Sequence, residues 1–146
     1  RRAGEFTQGP EDGFSRITWR NTVIVSQSLR DRLDALAERW PANAARLASY
    51  RLSPMLDRRI DCRIGGEYGW SMLFTRERLG IEWQAEGVAA AHVDLSEKDW
   101  ADVLDGRLGI ISMVFAGRCQ FPKHERYVLS KLSIVLQSLA TMTRQA

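Results

Sequence analysis

The apolar positions of this chain follow two rhythms. Between Gln27 and Trp40 they recur every three or four residues, and Leu29, Leu33, Leu36, Ala37 and Trp40 share one helical face. The spacing predicts a helix with Ser28 as N-cap, Asp31 three residues on, and Pro41 as its stop. A second short helix, "ANAARLASY", follows before Pro54, while "FSRITWRNTVIV" upstream fits either a strand or a loose arm. At Arg59 the period becomes two. Ile60, Cys62 and Ile64 face one way and Arg59, Asp61 and Arg63 the other; Trp70, Met72 and Phe74, then Leu79, Ile81 and Trp83, continue the apolar face. With "GGEYG" as a turn and "VAAAHVDL" as a fourth strand, the short spacers predict an antiparallel meander.

Helical spacing then returns. Ser96 with Asp99 opens a helix carrying Trp100, Val103, Leu104 and Leu108, interrupted at Gly106. The run from Gly109 to Gly117 has no charged residue and forms a second piece with Ile111, Val114 and Phe115 on one side. "RCQF" is a short strand closed by Pro122. The tail from Glu125 is a long amphipathic helix whose face holds Leu129, Leu132, Val135, Leu136 and Leu139.

Composition narrows the classes. The 146 residues suit one domain, with residues 1–25 an arm or linker and residues 26–146 the folded unit. A net charge of +3 is spread along the chain rather than gathered in a stripe, which argues against nucleic acid as a partner. No apolar stretch approaches the roughly 20 residues of a membrane helix, so membrane contact is transient at most. Cys62 and Cys119 form no C-x-x-C, and with His92 and His124 isolated no metal-ligand spacing appears. Free thiols, no metal, no cofactor and a cytoplasmic setting are the expectation.

Catalytic patterns are equally sparse. "GGEYGW" lacks the G-x-G-x-x-G spacing and opens a strand, and "GWSML" is an incomplete nucleophile elbow. The carboxylates Asp57, Asp61, Glu67, Glu77, Glu82 and Glu86 fall mostly on polar strand faces, where solvation is the default reading. No catalytic residue is assigned, and a binding role is preferred to an enzymatic one.

The segment from His92 to Leu139 resembles the sterol carrier protein 2 (SCP-2-like) family. Ser96 and Trp100 match the helix start, Gly106-Arg107 and Gly117-Arg118 stand in the two glycine-basic positions, and "YVLSKLSIVLQSL" matches the apolar C-terminal segment. Two features depart from the family: "PKHE" stands where Gly-Asp or Gly-Asn is usual, and the arginine-rich N-terminal region has no obvious counterpart. The resemblance implies an α+β fold, a mainly antiparallel five-stranded twisted sheet covered by helices, with an apolar tunnel. It further implies non-catalytic binding of a lipid, fatty acyl chain, sterol-like or isoprenoid compound. Tunnel-wall candidates are Leu104, Ile111, Val114, Phe115, Leu132, Val135, Leu136 and Leu139, with Trp70 and Trp83 from the sheet. The alternatives are a dimerisation or accessory domain of a larger enzyme, and a small enzyme that cyclises a substrate in the apolar pocket with His92, His124 or Asp94 as acid or base.

Overall fold

The structure, a computed structural model, describes residues 23–145, with side chains to residue 142. Most of the expected N-terminal arm lies outside the described residues. Helix α1 spans Gln27–Asn43, a 3-10 turn spans Arg46–Tyr50, and the strands are β1 (Arg59–Ile64), β2 (Glu67–Phe74), β3 (Leu79–Glu82) and β4 (Ala91–Leu95). Then come α2 (Glu97–Leu104), α3 (Ile110–Phe115), a 3-10 turn at Lys123–Glu125 and α4 (Arg126–Gln145).

Local chemistry sets these boundaries. The Ser26 hydroxyl, not that of Ser28, caps α1 by accepting from Leu29 N at 3.3 Å. Pro41 does not end the helix, which runs on to Asn43. The fully buried Trp40 anchors that last turn, its ring edge-on to Phe74 and its indole N–H donating to Thr75 O at 2.7 Å. Gly65 and Gly66, both at positive φ, join β1 to β2 as a two-residue turn between the paired Ile64 and Glu67, a conformation other residues resist. Ser96 caps α2 as expected, accepting from Asp99 N at 3.1 Å.

The sheet has the order β3-β2-β1-β4. β1, β2 and β3 form the expected antiparallel meander, but β4 pairs parallel to β1. Residues 83–90 are long enough to carry the chain from one edge of the sheet to the other. Arg59 fastens this crossover, its Nη2 donating to Gln84 O at 3.3 Å and its carbonyl accepting from Ala90 N at 2.7 Å. The expected fifth strand, "RCQF", is not a strand. Instead, the carboxylate of Glu125 takes the backbone N–H of His92 on the β4 edge at 2.8 Å, so a side chain does part of what a neighbouring strand would do.

Helices α1, α2 and α4 cover one face of the sheet, and the core lies between. Ile60, Cys62, Trp70, Met72 and Phe74 are fully buried there, Ile64, Ile81 and Trp83 partly so. Both cysteines are free and buried, Cys119 lying just before the second 3-10 turn rather than in a strand. Burial pushes the thiol of Cys62 well above its ordinary range and raises that of Cys119, which leaves both poor nucleophiles.

Candidate ligand-binding site

The apolar layer between the sheet and α2–α4 divides the candidate residues unequally. Trp70, Leu104, Leu132, Val135, Leu136 and Leu139 are buried in one cluster, with Val114 half-buried at its margin. Trp83 sits elsewhere on the margin, under the Arg30 guanidinium at 4.0 Å from the ring centroid. Phe115 does not join the layer: 87% of it is exposed, and Ile111 is only half-buried. The reason is rotation. α3 buries Ile110 and Met113, so Ile111 and Phe115, four apart, fall on its outward side. An apolar run looks alike from every side, so sequence could not tell which side faces in.

The glycine-arginine pairs set this geometry. Gly106 adopts φ +78°, and a Cβ there would lie 2.7 Å from Cβ of Ala140. Only glycine lets the end of α2 come so close to α4. At Gly109 a Cβ would meet Ser133 Oγ at 3.0 Å, and that hydroxyl also accepts from Ile111 N at 3.4 Å. The arginines point back to α2: Arg107 pairs with Asp102 and Asp105, and Arg118 with Asp99 at 3.2 Å. These pairs fix the loops that hold α3 at both ends.

The opposite face of the sheet is polar and, as expected, exposed at Arg63, Glu82 and Asp94, but it is not solvated around Asp61. Arg59 Nε lies 2.9 Å from Asp61 Oδ1 and 3.1 Å from Ser71 Oγ, and Ser71 donates to Asp61 at 2.6 Å. The Tyr68 hydroxyl completes the group, 2.7 Å from Ser71 Oγ. Strict alternation would put Tyr68 on the apolar face beside Trp70. It is turned over by a bulge: Cys62 pairs with Trp70 and Arg63 with Tyr68, leaving Gly69 unpaired. Asp61, Ser71 and Tyr68 are buried, which corrects the reading of Asp61 as a solvated carboxylate. Burial raises the Tyr68 hydroxyl pKa, against the opposing effects of Ser71 and Arg59.

His92 and Asp94 alternate with the buried Ala91, Val93 and Leu95, so they too sit on the face away from the helices. They line an open hollow of ≈250 Å³ with Arg63, Gln120, Pro122 and Glu125. His92 Nδ1 is 3.2 Å from the buried Glu125, whereas His124 is exposed. A second open hollow, ≈610 Å³, lies along α1 and the end of α2, where Arg32 pairs with Asp105 at 2.9 Å. Neither hollow is an apolar tunnel, and the groups considered as acid or base stand outside the apolar layer. Among the described residues no cluster of three or more His, Cys, Asp or Glu is placed to hold a metal, and no helix is long and apolar enough to cross a membrane.

No family model matches the sequence. No curated protein matches it either. Solved structures do match. Sterol carrier protein domain 2 of Helicoverpa armigera superposes with a TM-score of 0.57 at 13% identity, covering 78% of this chain and 89% of that one. UbiJ-SCP2, a ubiquinone synthesis protein, gives a TM-score of 0.55 at 12% identity, covering 92% of this chain and 98% of that one. At these identities the likeness is one of fold, and this chain has the α+β SCP-2-like fold.

Proposed function

We propose that the chain binds an apolar small molecule (a lipid, acyl chain, sterol-like or isoprenoid compound) in the layer between the sheet and helices α3 and α4. The observation that carries this reading is the state of α3. All but one of its six residues are apolar, yet only Ile110 and Met113 are buried. Such a helix contributes little to the core for its composition, and outward movement about its glycine ends opens the layer onto Leu132 and Leu136. Each buried CH₂ of a ligand then contributes about 0.8 kcal/mol. The likeness to a sterol carrier protein domain supports the same reading.

Titration with a fluorescent fatty-acid probe tests it, alongside mass spectrometry of an organic extract of the purified protein. Micromolar binding is expected. Val114→Arg, at the half-buried margin of the layer, should leave the circular dichroism spectrum unchanged and weaken capture about tenfold or more by placing a charge against the layer. Absence of both a bound lipid and probe binding ends the carrier reading.

The second reading is a dimerisation or accessory domain of a larger enzyme. The likeness to UbiJ-SCP2 over nearly its whole length supports it, as does the exposure of Phe115 and Tyr127. Sedimentation velocity separates the two readings, since an interaction module without ligand associates with rising concentration.

A further inference from the structure

Trp40, Trp70 and Trp100 are fully buried, and they do not solve the same problem in the same way. The indole N–H of Trp40 donates to Thr75 O at 2.7 Å, and that of Trp100 to Arg63 O at 2.8 Å. The indole N–H of Trp70 meets no acceptor among the described residues. More than nine in ten buried polar groups find a partner, and one left without is costly. Trp70 stands on an inner strand, β2, opposite Cys62 of β1, with its ring 4.8 Å from that of Trp100. A phenylalanine would supply an apolar ring here without stranding a donor. The unmet N–H therefore asks for an oxygen that the protein does not provide.

The surroundings limit that oxygen further. Besides Tyr68, the polar or charged residues buried among the described ones are Asn43, Asp61, Ser71, Asp99, Glu125 and Ser133, so no lysine or arginine is buried to neutralise an anion. An ionised carboxylate at the depth of Trp70 is strongly disfavoured, whereas a neutral carbonyl there is not, and the carboxylate of a fatty-acid probe stays at the solvent edge of the layer. We infer that Trp70 is the polar anchor of the apolar site and that the ligand is an apolar molecule bearing a neutral carbonyl oxygen, such as a ketone, ester or quinone. The inference rests on the ligand-binding reading above, and it adds what the bare apolar layer does not specify: the ligand's one polar group and the residue that holds it.

The test compares a long-chain methyl ketone with the alkane of equal chain length, each displacing the fluorescent probe from the intact chain and from Trp70→Phe. The ratio of the two affinities should fall about tenfold in the variant, through loss of ketone binding alone. Independently of any variant, the Trp70 indole N–H resonance of ¹⁵N-labelled protein should move downfield with the ketone and not with the alkane. If both compounds bind and neither the affinity ratio nor the resonance responds, the anchor is wrong while the apolar site stands. If neither compound displaces the probe or binds by any measure, the inference falls together with the ligand reading.

Discussion

The two faces of the sheet handle burial by opposite means. The face away from the helices carries Arg59, Asp61, Ser71 and Tyr68, and each of these four side chains is met by another of them within 3.1 Å. The helix-covered face is built from apolar side chains and holds one indole N–H without an acceptor. A closed polar network pins one arrangement of its strands, because breaking any member strands the others. An apolar layer tolerates exchange of one hydrocarbon contact for another, including contact with a ligand. The contrast locates rigidity on one face and adaptability on the other, with α3 at the adaptable side.

The largest expected effect is on the polar face. Asp61→Ala leaves the guanidinium of Arg59 and the hydroxyl of Ser71 half-satisfied, and should cost about 3–5 kcal/mol in denaturant unfolding. A cost below about 1 kcal/mol would show that the network is solvated and the contrast false. On the apolar face, Leu136→Ala should cost about 2–5 kcal/mol if the layer packs as tightly as an ordinary core. A much smaller loss accompanied by weaker probe capture would sharpen the contrast, showing slack where the ligand enters.

The glycines divide the adaptable side again. Gly106→Ala combines about 1–2 kcal/mol for a left-handed backbone with about 1–3 kcal/mol of overpacking against Ala140. Gly117→Ala has the same backbone problem at φ +76° but meets nothing within 4 Å, so it should show the backbone part alone. Equal losses in thermal melts would mean that the close approach of α2 to α4 is not tight.

The smallest effect is alkaline. Burial raises the folded-state pKa of Cys62 on one face and of Tyr68 on the other, from ordinary values of 9.0 and 10.0. More than about one pH unit below 9 neither group affects the slope. Above each ordinary value the unfolded chain releases a proton that the folded chain keeps, so stability falls as pH rises, by at most about 1.4 kcal/mol per pH unit per group. Cys62→Ala should flatten the first part of that decline and Tyr68→Phe the second.

Much of the fold was legible because short-range patterns report short-range structure. Period two marked β1, β2 and β3, "GGEYG" located one hairpin although only Gly65 and Gly66 turn and Glu67–Gly69 belong to β2, and Ser96, Gly106 and Gly117 marked ends of the second helical block. The candidate site was legible only in part. Leu132, Val135, Leu136 and Leu139 lie on a helix with a polar side, and their pattern points inward. Phe115 lies on a helix apolar on nearly every side, so its pattern points nowhere, and the structure turns it outward. Tyr68 was hidden by a bulge at Gly69, which no alternation rule anticipates.

By itself the sequence determined the α+β class, the Ser96 cap, the apolar strand face and the lack of metal-ligand spacing, all of which follow from residues within a few positions of one another. Only the tertiary structure decided that β4 returns parallel beside β1, that Glu125 rather than a fifth strand meets the β4 edge at His92, and that Asp61 is buried in a network. It alone left the Trp70 N–H without an acceptor while Trp40 and Trp100 found theirs. Each of these depends on which groups from distant segments meet, and hydrogen-bond satisfaction is settled only when both partners have been brought to the same place.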